Sequence, residues 1–357
     1  MGNSLLFLPD ISGFTAFVQS TEAAHSQHVI AELLEVLVEA NVQELQLAEV
    51  EGDALFFYKE DVIPSADELM MQVETMFTAF YSHLKLLETN RICPCQACAT
   101  APHLELKIIA HSGEIQFITV QGNRKPFGTE VIQVHRLMKN SVKSDNYVLF
   151  SESLANEVRL SEAKLKLVDE FKFGSDIYDN KALNYQYAVV DKENLKIKAY
   201  NEGKKVDFDY PPDIIIEKDF PISAEGLIEL VTNYKIRKEW FPGVDGILYN
   251  EHEVTRIDSE HICVINEKHY NFITVTKEVE KDQLIYGELL MAPPLADEMY
   301  QFYIISPTSE DSCVMRIENY VIIKSWFKKL VFKLVGRKGY KKGAETIING
   351  LYDFVMQ

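Results

Sequence analysis

The sequence predicts an α+β protein in two parts, and three observations carry that reading. Over the first half, apolar runs of strand length alternate with amphipathic stretches of helical period. Over the second half, strands follow one another at short spacing until a helical segment closes the chain. Between them lies a charged, extended stretch ending in Pro211-Pro212, which breaks regular structure. With 357 residues and 47% hydrophobic content the chain can build two separate cores. The expected domains are residues 1–190 and 213–357, with 191–212 as linker.

Taken in order, residues 5–8 form an apolar strand that reaches Asp10 and turns through Gly13 into a helix. That helix is expected to bury Ile30, Leu33, Leu34 and Leu37. Strands over 45–50 and 54–58 flank a turn at Gly52-Asp53. Ser65 and Glu68 form a capping box for a helix with Leu69, Val73, Met76, Phe77, Phe80, Leu84 and Leu87 on one stripe. A strand over 104–110 follows. If the first strands are neighbours, Asp10 and Asp53 meet across their ends and can hold Mg²⁺ or Mn²⁺ through hard oxygens, with nucleotide phosphates as further ligands. Each carboxylate also has a local use, Asp10 as a helix cap and Asp53 as a turn residue.

Leu8-Pro9-Asp10-Ile11-Ser12-Gly13-Phe14-Thr15 with Glu51-Gly52-Asp53 resembles the metal-binding motifs of class III nucleotidyl cyclase catalytic domains. Ile108-Ile109-Ala110-His111-Ser112-Gly113-Glu114-Ile115 is similar to that family's Gly-Ile-His-x-Gly-Glu-Val strand. Gly128 to Leu137 is similar to Gly-x-x-Val-Asn-x-Ala-Ala-Arg-Leu, Val148-Leu149-Phe150-Ser151-Glu152 to Ile-Leu-Val-Ser-Glu, and Tyr185 to Val190 to the family's last strand. The matches cover about the first half of the chain in the right order, although each motif is common alone. The resemblance implies a ferredoxin-like fold, a head-to-tail homodimer and a purine nucleoside triphosphate as ligand. It assigns Asp10 and Asp53 to Mg or Mn, and Arg136 to the charge on the pentacovalent phosphate. Lys172 or Lys181 would stand in for the γ-phosphate lysine. Glu49 occupies a purine-reading position and taken literally favours guanine. Two departures bear on activity. The ribose-orienting asparagine is replaced by Ile132, which cannot hydrogen-bond, and the second purine determinant is lost where Arg124-Lys125-Pro126-Phe127 runs almost directly into Gly128. The expectation is therefore nucleotide binding with weak or lost cyclase turnover.

In the second half, a strand over 214–220 precedes a helix from Ser223, then strands near 253–257, 261–265, 272–277, 283–290, 300–305 and 313–321. The closing helix places Ile347, Ile348, Leu351, Phe354 and Val355 on its apolar side. This order, with Arg237, Trp240, Pro242 and Gly243, resembles the helix-grip fold of the START and polyketide-cyclase-like (SRPBCC) superfamily. The resemblance implies an apolar cavity for a lipid or small hydrophobic ligand, with Trp240, Phe241, Tyr270, Phe272, Tyr286 and Tyr303 as lining candidates; ordinary core is the other use of each aromatic. Residues 324–342 interleave Trp326, Phe327, Leu330, Val331 and Leu334 with lysines and arginine. Such a run is either a solvated helix face with its apolar side in the core, or a contact for anionic lipid, an acidic surface or a phosphorylated ligand.

The net charge of −18 excludes nucleic acid as the main partner. No apolar run reaches the roughly 18 residues a membrane span needs, the amino terminus lacks a secretory pattern, and Leu6 spoils a myristoylation motif, so a cytoplasmic protein is expected. Five cysteines do not suggest a disulfide framework. Cys93, Cys95 and Cys98, with His103 behind them, are either a zinc site or a reduced loop without metal. Two functions remain open: a cyclase-like signalling protein coupled to a hydrophobic-ligand domain, or a ligand carrier whose cyclase-like half is a dimerisation scaffold.

Overall fold

The computed structural model describes residues 2–20, 23–92, 96–162, 167–198, 205–250, 254–265 and 267–357. Two compact units result, Met1–Lys85 with Thr100–Ala199, and Leu86–Ala99 with Tyr200–Gln357. None of the described helices is long and apolar enough to cross a membrane.

The first unit runs β1 (Ser4–Ser12), α1 (Phe14–Ser20), α2 (Ala23–Glu39), β2 (Gln46–Glu51), β3 (Ala54–Lys59) and α3 (Ala66–Thr89). The short α4 (Gln96–Thr100) comes next in the chain, then β4 (Glu105–Gly113), β5 (Gln116–Val120), β6 (Asn123–Phe127) and α5 (Thr129–Leu137). β7 (Tyr147–Ser151), α6 (Glu152–Glu157), β8 (Lys172–Tyr178) and β9 (Lys181–Val189) complete it. Seven strands form one sheet in the order β2-β3-β1-β4-β7-β9-β8, while β5 and β6 make a separate hairpin. Within the large sheet only β4 and β7 are parallel.

β1 is buried along its whole length. A strand covered on both faces reads as a continuous apolar run rather than an alternation. Leu6 and Leu8 pack with Ile109, Leu149 and, from α5, Val134 and Leu137. Leu5 and Phe7 point to the opposite face by the two-residue period of a strand. The α3 stripe from Leu69 to Leu87 is buried throughout. Its first turn holds the reciprocal cap, the Ser65 amide donating to Glu68 at 2.8 Å and the Glu68 amide to Ser65 Oγ at 3.4 Å. Gln72 fixes α3 against the end of α2 by accepting from the amides of Val42 and Gln43, both at 2.9 Å, and donating to the Ala40 carbonyl.

The second unit contains β10 (Ile214–Phe220), α7 (Ala224–Thr232), α8 (Tyr234–Trp240), β11 (Val244–Leu248), β12 (Glu260–Ile265), β13 (Lys268–Val275) and β14 (Leu284–Met291). β15 (Glu298–Ser309), β16 (Ser312–Ile322), α9 (Trp326–Val331), a wide π-type turn (Phe332–Gly336) and α10 (Arg337–Val355) follow. The sheet order β10-β16-β15-β14-β13-β12-β11 is antiparallel throughout: a six-strand meander with β10 added beside β16. Its inner face packs Ile305, Met315 and Ile317 against Leu227, Ile228 and Val231 of α7 and Ala344, Ile348 and Leu351 of α10.

Several segments differ from the sequence reading. Residues 254–257 form no strand, and Arg256 pairs with Arg91 in an isolated bridge. The unexpected edge strand is β11, which leaves Gly243 at a φ of 83° and carries a bulge between Val244 and Gly246. Residues 205–210, placed in the linker by composition, lie on the outer face of the second sheet. There the Val206 amide donates to the Thr276 carbonyl at 2.8 Å and Phe208 stacks on Tyr320 with centroids 3.9 Å apart. Residues 86–99, numerically in the first half, belong to the second unit, where Ile92 joins the core and the Ile257 amide donates to Asn90.

α10 crosses α8 closely enough that a Cβ on Gly350 would sit 2.4 Å from the Trp240 carbonyl oxygen and 2.8 Å from Pro242. The obstacle is backbone and a proline ring, neither of which can swing aside. Gly350→Ala is therefore expected to destabilise the second unit by about 1–3 kcal/mol despite its better helix propensity. Chemical denaturation followed by circular dichroism checks this, and a gain in stability would contradict the packing described.

Candidate functional site

Asp10 lies inside β1, opposite Ala54 of β3 on one side and Lys107 of β4 on the other. It is therefore a strand residue and not the cap of α1, which begins after Gly13. Asp53 sits at the turn between β2 and β3, and its carbonyl accepts from the Ile11 amide at 3.0 Å, tying that turn to the end of β1. Register and turn together bring the two aspartates into electrostatic contact. Lys107 completes the group, its Nζ 3.5 Å from Asp10 Oδ2.

Asp10 is only 7% exposed. Burial pushes its carboxyl up to about 6, Lys107 works against that rise, and the neighbouring charge of Asp53 adds to it. Asp53 is raised as well, chiefly by burial. One ammonium thus fails to compensate a buried carboxylate and its half-buried neighbour. Hard oxygens on adjacent strand ends with residual negative charge fit a divalent cation such as Mg²⁺ or Mn²⁺. Among the described residues no group of three His, Cys, Asp or Glu side chains is arranged to hold a metal by itself, so further ligands have to come from elsewhere.

The other residues singled out in the sequence are distributed around this centre. Arg136, in the last turn of α5, is paired with Asp179 at the β8–β9 turn rather than with Asp10 or Asp53. Asp179 is 77% exposed, so the pair is solvent-screened. Glu49 is bridged by Lys125 of β6 at 2.8 Å. Ile132 is 53% exposed on α5. Lys172 and Lys181 are exposed; Glu130 is held below the usual carboxylate range chiefly by its hydrogen bond with His111, to which the charge of Lys181 adds. Cys93 and Cys95 lie outside the described residues, Cys98 is buried, and His103 is exposed at the end of a single 3₁₀ turn.

Sequence reasoning missed Lys107 and a second buried network. His111 Nδ1 lies 2.7 Å from Ser151 Oγ, and its Nε2 2.7 Å from Glu130 Oε2. These bonds join β4, α5 and the start of α6, where Ser151 also caps the helix. Gly113 makes room for the arrangement, since a Cβ there would meet Glu130 Cγ at 2.7 Å. Ser151 is 4% exposed, and the trio ties β4, α5 and α6 together as a structural clamp.

In the second unit Glu288 is buried under Arg237, which is paired with it. Tyr286 donates to the same carboxylate oxygen at 2.8 Å, His261 Nε2 lies 3.3 Å from it, and Tyr234 and Tyr286 are joined hydroxyl to hydroxyl at 2.8 Å. Despite burial, Arg237 and His261 hold Glu288 well below the usual carboxylate range. A cavity of about 230 Å³ lies nearby in the same unit, lined mainly by apolar side chains including Ile265, Leu290, Met299 and Ile347, with Gln301 and Asn319 as polar groups. Of the six aromatic candidates, Tyr270 and Phe272 line it. Trp240, Tyr286 and Tyr303 are fully enclosed core, with Phe241 packed against them.

A family model described as "Protein of unknown function (DUF2652)" matches residues 30–147. An uncharacterized protein of Mycobacterium tuberculosis, Rv2561/Rv2562, is 30% identical over 139 residues, 38% of this chain. The match spans 63% of that relative's length. Solved structures similar to about half of this chain are adenylyl and guanylyl cyclase domains. The guanylyl cyclase Cya2 is 16% identical, covering 56% of this chain and 100% of its own, with a TM-score of 0.40. The adenylyl cyclase CyaB from P. aeruginosa is 16% identical over 54% of this chain and 96% of its own, with a TM-score of 0.39.

The raised carboxyl of Asp10 has a stability consequence of definite sign. The folded state binds its proton more tightly than the unfolded chain, so the stabilisation is fully present below about pH 4 and lost as pH rises through 6. In chelator-treated protein, Asp10→Asn should gain on the order of 2 kcal/mol over the native chain at pH 8, and the gain should vanish near pH 4. Thermal melts across that range test it; a pH-independent difference would show that Asp10 is adequately compensated.

Proposed function

We propose that the first unit binds a purine nucleoside triphosphate together with Mg²⁺ or Mn²⁺ at Asp10 and Asp53. On this reading the protein is a cytoplasmic signalling or regulatory protein with weak or lost cyclase turnover, and its second unit holds a small hydrophobic ligand. The observation that carries the proposal is a buried carboxylate, Asp10, beside a half-buried one, Asp53, whose joint charge Lys107 leaves undercompensated. The ion, when bound, supplies the positive charge that stabilises both carboxylates and a triphosphate.

The chain's own groups then divide the remaining work. Lys107 is within reach of Asp10 and of any phosphate placed beside it. Arg136 is available to phosphate oxygens once it leaves the exposed Asp179. In a head-to-tail homodimer, as the cyclase resemblance implies, each site would combine Asp10 and Asp53 of one protomer with Arg136 of the other. Ile132 offers no hydrogen bond to a ribose hydroxyl, so the 3′-hydroxyl lacks the orientation that in-line attack needs. That loss separates binding from turnover. Glu49 can meet a guanine edge only by giving up Lys125.

For the second unit the helix-grip reading rests on α10 lying along one face of the antiparallel sheet, with the cavity between that helix and the sheet. The exposed Ile132 and the closed Lys125–Glu49 pair favour one other reading: a hydrophobic-ligand carrier whose first unit serves as a dimerisation scaffold.

Titration of the purified protein with ATP and with GTP in Mn²⁺, following binding and cyclic-nucleotide release together, separates these readings. Binding with little or no turnover, lost in the Asp10→Ala/Asp53→Ala double variant, is the expected result. Turnover lost in the same variant would establish an active cyclase despite Ile132, and no binding of either nucleotide would favour the carrier.

A further inference from the structure

Residues 324–342 carry eight lysines and arginines and no acidic residue, in a chain whose net charge is −18. In the structure the apolar residues of this run do not face the core. Trp326 is 77% exposed, Phe327 60%, Leu330 50%, Leu334 67% and Val335 67%. Phe332 and Gly336 are the residues turned inward, and Gly336 lets the Phe332 ring approach to 2.7 Å of where a Cβ would stand. The π-type turn thus anchors the helix at two points while α9 and the start of α10 present an aromatic and aliphatic surface to solvent. Leu295, 42% exposed, lies beside Gly336 and extends that surface.

Isolated exposed apolar residues need no explanation, but five on one short helical stretch flanked by cations do. Lys329, Lys333, Lys338 and Lys342 make no ion pair among the described residues, whereas Lys328 is 3.5 Å from Asp297. A helix with Trp and Phe on its apolar side and lysines around them matches the boundary of an anionic bilayer: rings seat at the headgroup level, stems cover the acyl boundary, and ammonium groups meet lipid phosphates and carboxylates. At physiological ionic strength fields decay over about 8 Å, so this local patch acts independently of the negative charge elsewhere.

We propose that the α9–α10 segment is a docking surface for anionic membranes. Trp326, Phe327, Leu330 and Leu334 insert at the interface, and the flanking lysines read the surface charge. The same helix runs on into the cavity wall, where Tyr340, Gly343, Ala344 and Ile347 lie. The docked surface and the cavity therefore share one element, which places an apolar ligand's entry beside the bilayer. Membrane docking itself requires neither nucleotide binding nor an occupied cavity, so its test is independent of the function proposed above.

The chain has two tryptophans, and Trp240 is 1% exposed, so any lipid-induced blue shift of emission reports Trp326. Full-length protein is mixed with phosphatidylcholine vesicles with or without about 30% phosphatidylserine, and binding is followed by co-sedimentation and emission. The expected result is binding and a blue shift with the anionic vesicles only, weakened by raised salt. Lys329→Ala/Lys333→Ala/Lys338→Ala should bind roughly 100-fold more weakly. Trp326→Ala/Phe327→Ala should lose at least about 10-fold by co-sedimentation. All five residues are exposed, and circular dichroism confirms that the variants fold. Equal binding to neutral vesicles, no binding, or a Trp326 already shielded by self-association without lipid would overturn the proposal.

Discussion

Each of the two sheets buries a carboxylate, and the cost of removing that charge from water organises what surrounds it. In the second unit the carboxylate itself is fully compensated, although Arg237 Nε and His261 Nδ1 keep no hydrogen-bond partner among the described residues. Glu288 receives Arg237, Tyr286 and His261, and its carboxyl is held low even though it is 1% exposed. In the first unit the cost is met incompletely. Asp10 has Lys107 at 3.5 Å and a second carboxylate close by, and its carboxyl rises to about 6. The same physical problem has a closed solution in one unit and an open one in the other. A closed network specifies a core, whereas residual charge is a demand for a cation, so Asp10 and not Glu288 marks the candidate site.

That contrast also separates core aromatics from cavity-lining ones. Tyr286 and Tyr234 have hydroxyls that need partners when buried, and the Glu288 network supplies them, which draws both rings into the packed interior. Arg237 lies 5.7 Å from the Trp240 ring centroid and 5.8 Å from that of Tyr286, so the guanidinium is wrapped in aromatic faces as well as paired. Tyr270 and Phe272 stand farther along the sheet toward α10, among Leu290, Met299 and Ile347, where room remains. At the cavity, the Asn319 side-chain amide donates to Gln301 Oε1 at 3.1 Å, while Asn319 Oδ1 has no hydrogen-bond partner among the described residues.

How much of this was legible in the sequence depends on which forces act locally. The α3 stripe and its capping box were readable because helical period and caps are short-range, and the Asp10 and Asp53 motifs were readable because they sit at turns with glycine. Lys107 was not. It follows Glu105 in what looks like the polar phase of an alternating strand, and only the register opposite Asp10 turns it inward. Residues 205–210 read as linker because they are charged, yet Val206 and Phe208 are enough to lay the segment on the second sheet. Whether the apolar side of α9 faces the core or a partner stayed open in the sequence because periodicity reports that a helix has two sides, not which of them the tertiary structure covers.

In the first unit several cations of interest are already engaged: Arg136 by Asp179, Lys125 by Glu49, Arg124 by Glu60 and Lys107 by Asp10. On the proposed reading a triphosphate would therefore have to exchange partners rather than fill an open cradle. For the first three pairs the exchange costs little, because exposed ion pairs contribute at most about 1 kcal/mol. The Lys107 pair is different, since releasing Lys107 leaves Asp10 buried with only Asp53, another anion, beside it. In that reading Asp10 and Asp53 would hold a divalent ion, whose charge would replace that of Lys107 and leave the lysine free for phosphate. On the proposed reading, metal and nucleotide binding are linked through this one lysine: each is weak without the other, and the linkage does not depend on whether Ile132 still permits turnover.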